Sequence, residues 1–222
     1  SVYNIRALMS GELDLALTQV STEREAWNGQ GPDWEAALPQ RHLRRICTLH
    51  VGTLMLVAAQ DTPIRQLTDI RGHAIGVGYT GAALRNNVQD VLNTIGFTEG
   101  KDFTAVELDN AEIIQKLESR QIDAFFFVAG HPTPQITEAS LCRRPVRFVP
   151  LTGLDELLIH DTTYTETNIP VGLYPQVENT EDVATIGIKT VLLTAASVPD
   201  DAVEAVTQAL FDNLPLILVL LV

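Results

Sequence analysis

Apolar residues recur along this chain at two periods, and the switches between them lay out its elements. In NIRALMSGELDLALTQ, residues 4–19, Ile5, Leu8 and Met9 fall at helical spacing, Gly11 stops the run, and Leu13, Leu15 and Leu17 then alternate as a strand. The same helix, turn and strand recur at 111–129: Ile113, Ile114 and Leu117 form a helix face, and Ile122 to Val128 a buried strand. In both copies the strand opens on an apolar residue and an aspartate, Leu13-Asp14 and Ile122-Asp123, which points to two lobes of similar design. Further strands are predicted at 52–59, 73–78, 102–108, 145–151 and 185–195. A helix from Ala82 to Ile95 turns Leu84, Val88, Val91 and Ile95 inward and stops at Gly96. Asp109 and Glu112 form a capping box for the next helix, and a last one runs from about Asp200 to Asn213 with Val203, Val206 and Leu210 inward. Segments 21–40 and 160–182 read as irregular, and loops of that length are usually functional. Strands alternating with helices imply an α/β fold with mixed, largely parallel sheets.

Composition narrows the function classes. The 222 residues are 45% hydrophobic, enough for a substantial core. A formal charge of -13 argues against a surface built to neutralise phosphates, so no nucleic-acid partner is expected, and RHLRR at 41–45 reads as a solvated face. Cys47 and Cys142 have no metal-ligand spacing and are expected as two separate buried thiols rather than a disulfide. The five histidines make no H-E-x-x-H motif, and no G-x-S-x-G elbow occurs, so neither a metal nor nucleophilic catalysis has sequence support. The chain opens inside a helix without a signal peptide. It closes on the apolar run 214–222, which is far short of the roughly 20 residues of a membrane span and reads as a last core segment rather than an anchor stub.

Gly76-Val77-Gly78-Tyr79-Thr80-Gly81 spells G-x-G-x-x-G ahead of a helix, and Glu107 closes the next strand, as a ribose-binding acid would in a dinucleotide site. Gly76, however, lies inside the strand run rather than at its end, and no Gly-Lys-Ser/Thr follows for a P-loop. What survives is general: a glycine-containing turn feeding a helix start presents backbone N–H groups to an anion. Thr80 can add a hydroxyl and Arg85 a bidentate guanidinium. His131 follows a strand end, where ligands gather in α/β folds.

LTDIRGHAIGVGYTGAALRNNVQDVL, together with NIRALMSGELDLALTQ, AWNGQG, IDAFFFVAGHP and the run from Asn168 to Leu214, resembles the TAXI family of TRAP-transporter solute-binding proteins over nearly the whole chain. The resemblance implies a periplasmic, monomeric, non-enzymatic protein without cofactor. Its fold would be the two-lobed periplasmic-binding-protein, or venus-flytrap, fold. Lobe I would comprise 1–59 and 182–222, without a preceding first strand, and lobe II 60–181, joined by crossover strands. It implies capture of an acidic amino acid or dicarboxylate-like anion in an interlobe cleft and delivery to TRAP membrane subunits. The expected ligand-binding residues are Gln19, Tyr79, Thr80, Gly81, Ala82, Arg85, Gly130, His131 and Tyr174. The family's Gly-Ser-Gly-Thr-Arg is here Gly81-Ala82-Ala83-Leu84-Arg85, which removes two hydroxyls, and Val20-Ser21 replaces the usual Ser-Asp. The alternatives are an NAD(P)-dependent oxidoreductase using 76–81 and a membrane-anchored sensory domain.

Overall fold

The computed structural model describes residues 2–31, 34, 39–80 and 82–214. In chain order these form α1 (Val2–Ser10), β1 (Leu15–Gln19), α2 (Val20–Asn28), β2 (Leu43–Ala59), β3 (Ala74–Gly76), α3 (Ala83–Thr94), β4 (Thr104–Val106) and α4 (Ile113–Glu118). There follow β5 (Ala124–Ala129), α5 (Pro134–Ser140), β6 (Val146–Val149), α6 (Asp155–His160), β7 (Tyr164–Ile169), β8 (Val183–Ala195) and α7 (Asp200–Asp212). The chain divides into two compact units, 1–51 with 188–222 and 52–187, and β2 and β8 each run through a division point. Residues 52–59 and 182–187 thus go with the second unit, not with lobe I. The pairing is the reason: Thr53–Ala58 is antiparallel to β5 and Leu56–Ala59 to β6, while the Leu151 N–H donates to Ala184 O at 3.1 Å.

In the first unit Ile5 and Leu8 of α1 pack with Ala16, Ala26, Leu43, Val191 and Leu193. Burying each of those two side chains stabilises the fold by about 2 kcal/mol. β1 is antiparallel to β8, Leu15 facing Thr194 and Gln19 facing Thr190. The alternation expected in β1 is present with the opposite phase. Ala16 and Thr18 are buried, Ala16 in the cluster with Ile5 and Leu8, and Leu17 is 42% exposed. The stretch after Gln19, expected to be irregular, begins with α2, which buries Thr22 and Ala26 one turn apart and ends at Gly29 in the left-handed region, its N–H donating to Ala26 O. α7 has no buried residue, so Val203, Val206 and Leu210 are only half-covered rather than core. Of the apolar run 214–222, everything after Leu214 lies outside the described residues.

In the second unit β3 is parallel to β4 and to β5, Gly76 facing Val106 and Phe125, and this parallel trio is extended by the antiparallel β2–β5 and β2–β6 pairs. The mixed sheet was expected; its parallel order is concentrated in that trio. Phe125 and Phe127 of β5 pack in a core with Met55, Val57, Leu117, Ile136, Phe148 and Tyr174. α3 turns Asn87, Val88, Val91 and Leu92 inward, whereas Leu84 and Ile95 are half-buried, and the capping box of Asp109 and Glu112 opens the turn before α4. Segment 160–182, expected to be irregular, contains β7, whose partly exposed Thr165–Asn168 carries too little apolar alternation to read as a strand. Cys47 and Cys142 are free thiols, half-buried rather than buried.

An ionic cluster anchors the edge of this unit where β3 and β5 begin. Arg144 is buried and directs Nε to Asp61 at 2.9 Å, Nη2 to Asp123 at 3.2 Å, and Nη1 to the carbonyls of Leu117 and Ile122. His73 Nδ1 lies 2.9 Å from Asp123. Burial raises the Asp123 pKa, but hydrogen bonds from His73, Arg144 and the Ala74 amide outweigh it and hold the carboxyl below the ordinary value.

Candidate functional site

The parallel trio sends three chain segments to the opposite edge of the second unit: the turn after β3, the residue after β4 and the loop after β5. Carboxyl ends of parallel strands are where α/β folds place ligands. Tyr79, Thr80, Ala82 and Arg85 leave the first segment, and Gly130 and His131 the third. Gln19 belongs to the first unit, as the last residue of β1 and the residue preceding α2. Gly81 lies outside the described residues.

The glycines of the turn have separate mechanical reasons. A Cβ on Gly76 would stand 2.7 Å from Leu108 Cδ2 and 2.9 Å from Phe125 Cβ, so this glycine lets β3 pack closely against neighbouring side chains. Gly78 has φ +76 and lies against Leu84 of α3, so it turns the chain from strand to helix. The Val77 N–H donates to Val106 O at 3.1 Å and the Ala82 N–H to Tyr79 O at 3.0 Å, closing the turn. Ala82 then adopts an extended conformation ahead of α3 and, being alanine, offers no side-chain cap. The orphan donors of a helix start, with its positive dipole end, are therefore not served by a capping side chain.

One carboxylate meets this turn and another meets the helix that follows it. The Thr80 hydroxyl donates to Glu107, and the Arg85 guanidinium pairs with Glu99. Arg85 is thus already engaged within the protein, and Glu107, which the sequence offered only as a ribose acid, is brought beside Thr80. Tyr79 precedes Thr80 in the turn and is 55% exposed.

In the third segment His131 is 7% exposed and follows β5 by two residues; its peptide bond to Pro132 is cis. Its Nδ1 lies 2.9 Å from the Tyr174 hydroxyl, which also accepts the Thr133 N–H at 3.0 Å. Desolvation by burial lowers the His131 pKa to about 4, so the ring is neutral at physiological pH. Burial raises the Tyr174 pKa, partly offset by the Thr133 amide. Tyr174, expected to touch ligand, is 1% exposed and packs edge-on against Phe148 and His131. A separate cleft of about 410 Å³ in this unit is lined by Leu151–Asp155, Glu166–Asn168 and Ala184–Ile186 among others and contains none of the predicted residues. Among the described residues no group of three or more His, Cys, Asp or Glu side chains could hold a metal ion, and no helix is long and apolar enough to cross a membrane.

The profile of the NMT1-like family matches residues 1–220. The chain belongs to the NMT1-like family. Among solved structures, this NMT1-like chain is similar to the periplasmic aliphatic sulphonate binding protein SsuA from Escherichia coli. That match has a TM-score of 0.54 and 16% identity, and covers 94% of this chain and 56% of that one. It is also similar to an ancestral arginine-binding protein bound to arginine, at TM-score 0.55 and 14% identity over 96% of this chain and 72% of that one. A third is the substrate binding protein of an amino acid ABC transporter, at TM-score 0.50 and 11% identity over 95% and 69%. The NMT1-like chain therefore has the α/β fold of periplasmic solute-binding proteins, while spanning only 56% of the length of SsuA.

Proposed function

We propose that this chain is the ligand-capturing part of an extracytoplasmic solute-binding protein that takes a small organic anion, with an amino acid as its preferred class, and delivers it to a TRAP-type transporter. The NMT1-like family match and the fold shared with periplasmic binding proteins support a binding role, and the sequence resemblance to the TAXI family supports the transporter type. The observation that carries the ligand class is the pairing of the uncapped α3 start with Glu107 across Thr80. Backbone donors at a helix start attract a carboxylate, and a carboxylate next to them accepts an ammonium group, so a zwitterion is matched at both of its charges. A plain dicarboxylate would instead meet Glu107 as a like charge. A protein of formal charge -13 needs such local donors to hold an anion at all.

In this reading Thr80, the backbone donors that follow Ala82 at the start of α3 and Glu107 hold the α-amino acid group, Arg85 contributes to the extent that ligand competes with Glu99, and Gly130 and His131 contact the remainder. Tyr79 covers the turn. Calorimetric titration with L-glutamate, L-arginine and succinate tests the reading: saturable binding of an amino acid supports it, and binding of succinate alone refutes the assigned role of Glu107.

A further inference from the structure

His131 carries one polar atom that the fold leaves unused. Nε2 is buried and has no hydrogen-bond partner among the described residues; the residue is 7% exposed and its other nitrogen is tied to Tyr174. Buried polar atoms almost always find partners, so an orphan at a strand carboxyl end calls for a reason.

The Tyr174 hydroxyl decides which proton the ring holds. It accepts the Thr133 N–H at 3.0 Å, and its own proton needs an acceptor because Tyr174 is 1% exposed. If Nδ1 accepts that proton, the hydroxyl is satisfied and the ring keeps a single orphan, the Nε2–H donor. If Nδ1 instead donated, the phenolic proton would lose this acceptor and the Nε2 lone pair would also stay unmatched. The first arrangement leaves fewer orphans and is the stable tautomer.

Resting on the solute-binding reading above, we propose that Tyr174 locks His131 as the Nε2–H tautomer and that this proton is a ligand-binding donor for an anionic or carbonyl oxygen of the bound solute. Tyr174 is then a positioning residue: it touches no ligand and fixes which edge of the imidazole can. The donor is neutral, in keeping with a ring whose pKa burial holds at about 4, so its contribution is a directed hydrogen bond rather than charge attraction. Nε2 is covered as well as unpartnered, so the acceptor reaches it only as the side chains over it shift on ligand entry.

The test is long-range 1H–15N NMR on the protein labelled in its histidine rings, with the His131 signals assigned by their loss in His131→Gln. The expected spectrum of the ligand-free protein shows a protonated Nε2 and a bare Nδ1, unchanged between pH 8 and 6. Saturation with L-glutamate, verified by calorimetry on the same sample, should move the Nε2–H proton downfield and slow its exchange with water. Tyr174→Phe should introduce the second tautomer and weaken L-glutamate binding by roughly 2- to 10-fold, the range of one neutral hydrogen bond. A bare Nε2 in the ligand-free protein overturns the inference, whether or not ligand binds. An unmoved Nε2–H at calorimetric saturation also overturns it, assigns the donor to water, and leaves the solute-binding reading standing. Absence of heat with L-glutamate, L-arginine and succinate overturns the reading and the inference together.

Discussion

The Thr80 hydroxyl donates to the Glu107 carboxylate, joining the glycine turn after β3 to the end of β4. This contact puts an acceptor beside the start of α3, and on the proposed function it favours an amino acid over a simple dianion. Glu107→Gln keeps the hydrogen bond to Thr80 and removes the charge. Amino-acid affinity should fall about tenfold or more, the scale of one charge-assisted hydrogen bond, while succinate affinity should rise. Calorimetry of the variant with both ligands checks the opposite signs; a parallel fall for both would assign Glu107 to holding the turn.

Arg85 is held by Glu99. Ligand must compete for the guanidinium, so Glu99→Gln should raise the affinity of the preferred anion by a few-fold and Arg85→Ala should lower it, each by about 1 kcal/mol, the scale of a partly exposed pair. Unchanged affinity in both variants would assign the pair to stability alone.

Arg144 is the keystone of the opposite edge. Its guanidinium serves Asp61, Asp123 and two backbone carbonyls from a buried position. Arg144→Ala strands those groups and should cost about 3–5 kcal/mol in urea unfolding. Because the cluster lies away from the glycine turn, the affinity of whatever variant remains folded should be unchanged.

His131 predicts a pH dependence with a definite sign. Its pKa is about 4 in the folded protein and 6.5 in the unfolded chain, so the unfolded state takes up the proton first. Stability is intact above about 6.5 and is lost as pH falls from 6.5 to about 4, by about 3 kcal/mol in all. His50, whose pKa burial also lowers, acts in the same direction. The part due to His131 is the part that disappears in His131→Gln, read from urea midpoints across that window.

How much of this was legible in the sequence depends on what each element buries. α1, α3 and the strand from Ala124 to Ala129 carry strong apolar periods and stand where the sequence put them. α2 was missed because it buries only Thr22 and Ala26, which leave no apolar stripe; the spacing of four with Gly29 after it was the available signal. The phase of β1 was inverted because alternation alone does not say which face α1 covers. The sequence shows the turn and His131 as residues that follow strands, and the structure places both at strand carboxyl ends, where α/β folds gather ligands. The tie from Thr80 to Glu107 spans 27 positions and depends on the pairing of β3 with β4, which no local pattern encodes. Tyr174 was singled out for ligand contact, yet its position behind His131 follows from core packing with Phe148, also a long-range fact.

The most direct test of the central claim is a calorimetric titration of the protein with L-glutamate, L-arginine, succinate and NADH under identical conditions. The expected result is saturable one-to-one binding of an amino acid, weaker or no binding of succinate, and no binding of NADH. Micromolar binding of NADH with no response to either amino acid would contradict it and return the glycine turn and Glu107 to a dinucleotide site.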